Sequence, residues 1–165
     1  MTREWDKIRP EERAIILPYL EDVPVKIATM ARALGIEVKS ATLRPRISGQ
    51  LQRSSDSPSG FRIRVNRHEA QTRQRFTIAH EIAHYLLHRD FIGDGIEDSI
   101  LYRSTLSDTR EAEANRLGAQ LLMPEKSVLR VLRDLGGRAT PEIARIMAER
   151  YDVSEAAMSI RLGLG

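Results

Sequence analysis

Residues 75–88, RFTIAHEIAHYLLH, place histidines at intervals of four and a glutamate directly after the first histidine. Four residues advance an α-helix by about 400° and about 6 Å, so the imidazoles of His80 and His84 lie on one face. Both rings can then reach one metal ion, and the carboxylate of Glu81 can reach a water molecule beside it. This spacing predicts a helix whose histidines hold a metal and whose glutamate is the general base of a hydrolysis.

A second interpretation of this stretch is a core helix in which the histidines are simply hydrogen-bonded. Its apolar residues would pack in either case. Burying two imidazoles and a carboxylate is unfavourable unless a partner binds them, so we favour the metal site. His88 continues the same face, but one further turn places it too far from the same ion. We expect His88 to support a ligand or the local structure.

Two histidines leave the metal one ligand short, since hydrolytic zinc sites usually have three protein ligands and an open position. No third histidine follows in the HExxHxxGxxH pattern. A helix capped by Asp108 and ending before Pro124 is predicted next. Its spacing puts Glu111 on a stripe with small residues that allow close approach, and Glu113 on the opposite, solvated side. Glu111 is the predicted third ligand, and Asn115, one turn later, is expected to orient a ligand.

The composition narrows the chemistry further. The 165 residues include no cysteine, so any metal must be held by histidine and carboxylate. No stretch approaches the roughly eighteen apolar residues of a membrane span, and the charged first thirty residues show no secretory signal. We therefore expect a cytoplasmic protein without a membrane anchor. We predict one domain over residues 1–135 and a helical, helix-turn-helix-like extension over residues 136–165 packed on it.

Positive charge is concentrated beside the histidine stretch. Residues 44–75 carry eight arginines against one aspartate and one glutamate, a net charge of +6, whereas the whole chain has a formal charge of +3. We favour a solvated face that discourages strand pairing. A binding patch for acidic peptide or nucleic acid is the alternative.

Alternating residues predict a β-hairpin before the histidine helix. The runs ISGQLQR (47–53) and FRIRVN (61–66) flank a turn-rich loop, and the apolar residues of the second run would face the core while its arginines point outward. We expect an extended peptide to pair beside this second run, so that Val65→Pro would reduce cleavage. Residues 89–109 are predicted to be a mobile polar loop, in which Tyr102 and Arg103 are candidates for stabilising an oxyanion.

Helical patterns account for most of the remaining chain. A run from Pro10 to Leu20 and a helix opened by Pro24 and stopped by Gly35 are predicted first, followed after the site by helices at 125–135, 141–151 and 154–162. The last two have the rhythm of a helix-turn-helix. Glycine is missing at their turn, where Asp152 stands, and the reading positions hold no arginine, asparagine or glutamine. We favour packing or protein recognition over DNA reading.

The blocks RFTIAHEIAHYLLH and EAEANRLGAQLLMP (111–124) together resemble the ImmA/IrrE family of bacterial metallopeptidases over about residues 20–135. The resemblance implies an α+β fold with a small thermolysin-like (gluzincin) core. It has a short antiparallel β-sheet, an HExxH helix, a distal glutamate helix and a helical C-terminal extension. By position, His80, His84 and Glu111 would be metal ligands and Glu81 the general base. Leu117-Gly118 departs from the usual Phe-Ala of the family, a change in packing.

The same resemblance implies a zinc-dependent, site-specific endopeptidase that cuts a helix-turn-helix repressor of a stress regulon or mobile element. Zinc is the default for these ligands, and manganese or iron would also fit. Two alternatives stay open: a non-cleaving metal-dependent sensor or adaptor that binds a regulator, and a DNA-binding regulator. Glu81 favours hydrolysis, because a pure sensor has no need of a general base.

Overall fold

The alternating run that predicted a hairpin forms the centre of a four-stranded sheet in the computed structural model, which describes residues 3–99 and 106–165. The strands are β1 Glu37–Ala41, β2 Ile47–Arg53, β3 Phe61–Asn66 and β4 Gly95–Ser99, in the order β1-β3-β2-β4. β2 and β3 pair antiparallel, which confirms the hairpin. β4 adds antiparallel to β2, but β1 adds parallel to β3, so the sheet is mixed. The fold is α+β, as predicted.

The two faces of β3 separate as the sequence indicates. Phe61, Ile63 and Val65 are buried in the core. Arg62 and Arg64 are partly exposed and donate to glutamines of β2 at 3.2 and 3.1 Å. These cross-strand bonds fix the register of the hairpin.

β3 lies between β1 and β2, so both of its edges are occupied. The prediction that a peptide pairs beside residues 61–66 is therefore wrong, and Val65→Pro would only break the sheet. β4 is an edge strand, and within the described residues it pairs with β2 alone. An extended peptide could join the sheet there.

Eight α-helices cover most of the described residues outside the sheet. They are α1 Arg3–Asp6, α2 Pro10–Ile16, α3 Ile27–Ala33, α4 Gln71–His88, α5 Asp108–Leu122, α6 Glu125–Asp134, α7 Pro141–Tyr151 and α8 Glu155–Arg161. Short 3₁₀ turns at Leu17–Glu21 and Arg89–Phe91 follow α2 and α4. α4 packs against β2 and β3 and also against α5. Within the described parts of the chain, no helix is long and apolar enough to cross a membrane.

Three predicted boundaries are corrected. α3 begins at Ile27 and not at Pro24, and the Val25 carbonyl that precedes it accepts a hydrogen bond from the Arg75 guanidinium at 2.9 Å. Ser107 caps α5 in place of Asp108, since its hydroxyl accepts from the Arg110 amide. The predicted polar loop contains β4, in which the buried Ile96 pairs across Leu51.

The C-terminal helices pack on the rest of the fold through their turn. Asp152 adopts the left-handed conformation that a glycine would favour (φ 54°). Its carboxylate accepts from Gln71 at 2.7 Å, and its carbonyl accepts from Arg75 at 3.1 Å. The hydroxyls of Tyr151 and Ser127 are 2.6 Å apart and buried. These contacts agree with a packing role, while the domain boundary at residue 135 stays a prediction.

Most arginines of the segment 44–75 are bound within the fold. Their hydrogen bonds run from Arg44 to Glu97, Arg53 to the Gly93 carbonyl, Arg62 to Gln52, Arg64 to Gln50, Arg67 to the Ser40 carbonyl, and Arg75 to the Val25 carbonyl. Guanidinium groups held in this way are less free to bind phosphate. The arrangement agrees with the solvated face that we favoured.

Candidate metal centre

Close approach of α4 and α5 brings the predicted ligands together. Ala114 and Gly118 lie in the interface, and a Cβ atom on Gly118 would stand only 3.2 Å from the backbone nitrogen of His80. A residue larger than alanine would separate the two helices. The small stripe predicted on α5 is therefore confirmed.

The three predicted ligands meet at one point. Nε2 of His80 and Nε2 of His84 are 3.1 Å apart. The two carboxylate oxygens of Glu111 lie 3.2 Å from the first nitrogen and 2.9 Å from the second. Both imidazoles are fully buried and Glu111 is 6% exposed. This convergence of two imidazoles and a carboxylate is the donor set that zinc and related divalent ions bind.

Asp98 is a fourth member of the cluster that sequence reasoning missed. It lies on β4, opposite Gly49 of β2, and is fully buried. Its Oδ1 atom is 3.4 Å from Nε2 of His80 and 4.0 Å from Nε2 of His84. The four donor atoms all lie within 4.8 Å of one another. The only sequence signal was an acid at the inward position of a short alternating run, inside a stretch that looked like a loop.

Glu81 lies beside this cluster. Its carboxylate is fully buried and interacts with the carboxylate of Asp98. Burial, and then the nearby charges of Asp98 and Glu111, raise the pKa of Glu81 well above its usual range. A raised pKa makes a carboxylate a stronger proton acceptor, which suits a general base.

His80 is shifted by the same two carboxylates. Burial alone lowers the pKa of His80, but hydrogen bonding and charge interactions with Asp98 and Glu111 outweigh it and raise that pKa to about 9. A proton on Nε2 therefore occupies the place that a cation would take. Metal binding must displace that proton, because a histidine ligand has to be neutral.

His88 supports His84, as predicted. The Nδ1 atoms of the two rings are 3.0 Å apart, and Nε2 of His88 is 3.1 Å from Glu113. With Nε2 of His84 kept for a metal, its Nδ1–H donates to His88, and the Nε2–H of His88 donates to Glu113. The chain of bonds thus fixes both tautomers.

Two predictions on α5 are wrong. Glu113 is not solvated, because its side chain is only 12% exposed and bonds to His88 and to Lys7, which follows α1. Those bonds outweigh burial and lower the pKa of Glu113. Asn115 makes no hydrogen bond to a candidate ligand within the described residues, where its Oδ1 atom has no partner. Tyr102 and Arg103, the candidates for an oxyanion role, lie outside the described residues.

Comparison with known proteins shows which family the chain belongs to. The sequence matches the family model Peptidase_M78, described as the IrrE N-terminal-like domain, over residues 31–163. The chain therefore belongs to this family, as the resemblance of the two blocks indicated. The match runs through the metal cluster and through the C-terminal helices. No curated protein matches the chain.

Proposed function

We propose that this member of the Peptidase_M78 family is a cytoplasmic, zinc-dependent endopeptidase that cuts one peptide bond in a regulatory protein. The observation that carries the proposal is the convergence of His80, His84 and Glu111 at 2.9–3.2 Å beside the buried Glu81. Zinc fits these residues, because they offer two imidazole nitrogens and a carboxylate. The buried carboxylates of Glu81 and Asp98 also suit a cation and a polar substrate.

Zinc bound by these residues would supply Lewis-acid chemistry, which polarises a carbonyl and makes water easier to deprotonate. Glu81 then has a defined task. It accepts a proton from the attacking water at a carboxylate oxygen and passes that proton to the nitrogen of the leaving amine. Cleavage of the carbon–nitrogen bond of the peptide gives a carboxylate and an amine.

The surrounding residues orient the ligands. His88 and Glu113 hold the His84 ring with Nε2 turned to the metal side. We further propose that the substrate lies as an extended strand along β4, the edge of the sheet that carries Asp98. Backbone hydrogen bonds to that edge would position a scissile carbonyl beside the cluster.

The substrate class rests on the family resemblance. We propose a helix-turn-helix repressor of a stress regulon or mobile element as the protein that is cut. A metal-dependent sensor or adaptor that binds such a regulator without cutting it is the second candidate. The buried carboxylate of Glu81 favours the peptidase, because an unused buried carboxylate is unfavourable in a site that needs only to bind metal.

New protein N-termini in the native host would test the proposal without a prior guess of substrate. Strains expressing the wild type, Glu81→Gln or the exposed control Glu142→Gln are compared before and after DNA damage. Glu81→Gln should keep its metal and lose cleavage by about 10²–10⁴-fold, since only the proton acceptor is removed. One or a few termini should therefore appear with wild type and control alone. Identical termini in all strains, with metal and a regulator still bound, would favour the sensor.

A further inference from the structure

Asp98 is a buried carboxylate that the proposed reaction leaves without a task. It is fully buried on β4, where its neighbours include the buried carboxylate of Glu81. Its Oδ1 atom also faces Nε2 of His80 and Nε2 of His84. A buried carboxylate is unfavourable unless a cation or a set of donors compensates it.

The position of Asp98 matches the fourth corner of a tetrahedral site. With ligand distances of about 2.0–2.2 Å, the ligand atoms of a tetrahedral zinc site lie about 3.3–3.6 Å apart. The two histidine nitrogens are 3.1 Å apart, and Glu111 lies 2.9–3.2 Å from them. Oδ1 of Asp98 lies 3.4 and 4.0 Å from the same nitrogens. One carboxylate oxygen therefore stands at about the separation that a fourth ligand requires.

The ring nitrogen that Asp98 faces shows whether Asp98 is placed to bind the metal or to orient a histidine. A carboxylate that orients a metal-bound histidine contacts the ring nitrogen that does not bind the metal. His88 does this for His84, at Nδ1. Asp98 instead faces Nε2 of His80, the nitrogen that also faces Glu111. Once that nitrogen binds a metal, it carries no proton to donate. Asp98 can then coordinate the same metal, but it cannot accept a hydrogen bond from Nε2 of His80.

Charge balance supports the same assignment. Two neutral imidazoles with the carboxylates of Asp98 and Glu111 carry two negative charges, which a divalent cation neutralises. A site held by Glu111 alone would leave the buried charge of Asp98 beside a net positive centre without contact to it. Buried charges are tolerated when they are paired or coordinate a metal.

We infer that Asp98 is a fourth protein ligand and that it closes the metal centre of the resting chain. A hydrolytic site needs an open position for water or substrate, so Asp98 must release the metal before a peptide is cut. Asp98 lies on β4, the edge strand along which we place the substrate. A bound peptide would therefore contact the strand that carries Asp98 and could shift its carboxylate. The ligand assignment stands independently of peptide cleavage, whereas the need for release rests on the proposed function.

Visible absorption of the Co²⁺-loaded chain tests the ligand assignment, because four-coordinate Co²⁺ absorbs far more strongly than five- or six-coordinate Co²⁺. The wild type is compared with Asp98→Ala and with the near-isosteric Asp98→Asn. Asp94→Asn, an exposed change in the turn before β4, is the matched control. Metal stoichiometry, Co²⁺ affinity and circular dichroism are recorded for each protein, and hydrolysis of a host substrate is followed separately.

The wild type and Asp94→Asn should give the strong four-coordinate bands. Asp98→Ala should keep one Co²⁺ per chain, show bands changed in position and intensity as water replaces the carboxylate oxygen, and bind Co²⁺ at least about tenfold more weakly. With a cleavable substrate, Asp98→Ala should cut faster than wild type at saturating metal.

Weak bands in the wild type would overturn the inference, and this result requires no variant to fold. Folded Asp98 variants with unchanged spectrum and affinity would overturn it as well. Slower cleavage with an unchanged spectrum would place Asp98 on the substrate instead. A wild type that binds no metal would refute the proposed function itself, and a changed spectrum without cleavage of any protein would refute only the peptidase activity.

Discussion

The metal centre has two walls that are built in different ways. The helical wall carries His80 and His84 on α4 and Glu111 on α5, and its ligands are set by helical spacing within one element or between two packed helices. The strand wall carries Asp98 on β4, which reaches the site only because β4 pairs with β2, where Gly49 is its partner. Local geometry forms the first wall, and long-range pairing forms the second. The helical wall should therefore fix whether a metal binds, and the strand wall how the site is closed.

The largest effect is expected from breaking the helical wall at one carboxylate. Glu111→Gln removes an anionic ligand and should lower metal affinity further than any other single change and abolish hydrolysis, because only the two histidines and Asp98 of the strand wall would remain to hold the ion. Glu113→Gln on the same helix weakens the support of His88 and the pair with Lys7 but removes no ligand, so it should lower metal affinity by only about 10–100-fold. Metal content after dialysis and titration with a metal indicator measure both. Equal metal binding by the two variants would contradict the ligand assignment.

The pH dependence sharpens the comparison, because both walls act on His80. Asp98 and Glu111 raise the pKa of His80 to about 9 against opposing burial, so metal must displace a proton between neutral pH and pH 9. Metal affinity should rise by about tenfold per pH unit in that range as this one proton is lost. Calorimetry in buffers of different ionisation enthalpy should find about one proton released per metal near pH 7.

The metal-free chain should respond to pH in the opposite sense. A group whose pKa is raised by folding stabilises the folded state below its unfolded pKa, and this stabilisation is lost as the pH rises through the folded pKa. The stabilisation from His80 therefore declines as the pH rises from about 6.5 to 9 in the metal-free protein. The raised pKa of Glu81 also lowers stability as the pH rises, starting from a lower pH. Urea unfolding across this range measures it. Stability that increases from pH 6.5 to 9 without metal would contradict the geometry.

One glycine-to-alanine substitution in each wall compares how tightly the two walls are packed. A Cβ atom on Gly49 would overlap the methyl group of Thr77, and the site it faces includes Glu81. Gly49→Ala should therefore lower the free energy of unfolding by about 1–3 kcal/mol. In Gly118→Ala the contact with His80 is milder, at 3.2 Å, and the gain in helix propensity of about 0.8–1.0 kcal/mol offsets it. Urea denaturation compares the two, and a Gly118→Ala loss equal to that of Gly49→Ala would show that the walls pack alike.

The smallest effect is expected at the outer end of the His84–His88–Glu113 chain. Lys7 is 52% exposed and pairs with Glu113, so Lys7→Ala should lower the free energy of unfolding by no more than about 1 kcal/mol. In Lys7→Ala, Glu113 keeps its bond to His88. The loss of metal affinity should therefore be smaller than in Glu113→Gln. A Lys7→Ala variant that loses its metal would show that α1 belongs to the site itself.

Sequence alone could place the helical wall because its information is local. Intervals of four put His80 and His84 on one face, and the small residues of α5 identified Glu111 as the inward acid. The hairpin was equally readable from strict alternation in residues 61–66. Helix ends were not local in this way: Pro24 looked like a start, but α3 begins at Ile27, and the Val25 carbonyl accepts from a guanidinium fifty residues away.

The strand wall could not be predicted because each part depends on a distant partner. Asp98 occupies the inward position of β4, where a hydrophobic residue would have marked a strand, so the segment resembled a loop. The interior place of β3 depends on parallel pairing with β1, which no local pattern indicates. The burial of Glu113 depends on Lys7, far along the chain. Residues that complete a site from another element are the ones that spacing cannot identify.

The most direct test of the metal centre is anomalous diffraction at the zinc absorption edge from crystals of the zinc-loaded chain. We predict a single peak about 2.0–2.1 Å from Nε2 of both His80 and His84, and about 2.0–2.2 Å from a carboxylate oxygen of Glu111. Glu81 should lie next to the ion without ligating it. An intact α4–α5 pair with no peak between its three ligands, or with zinc bound elsewhere, would contradict the account.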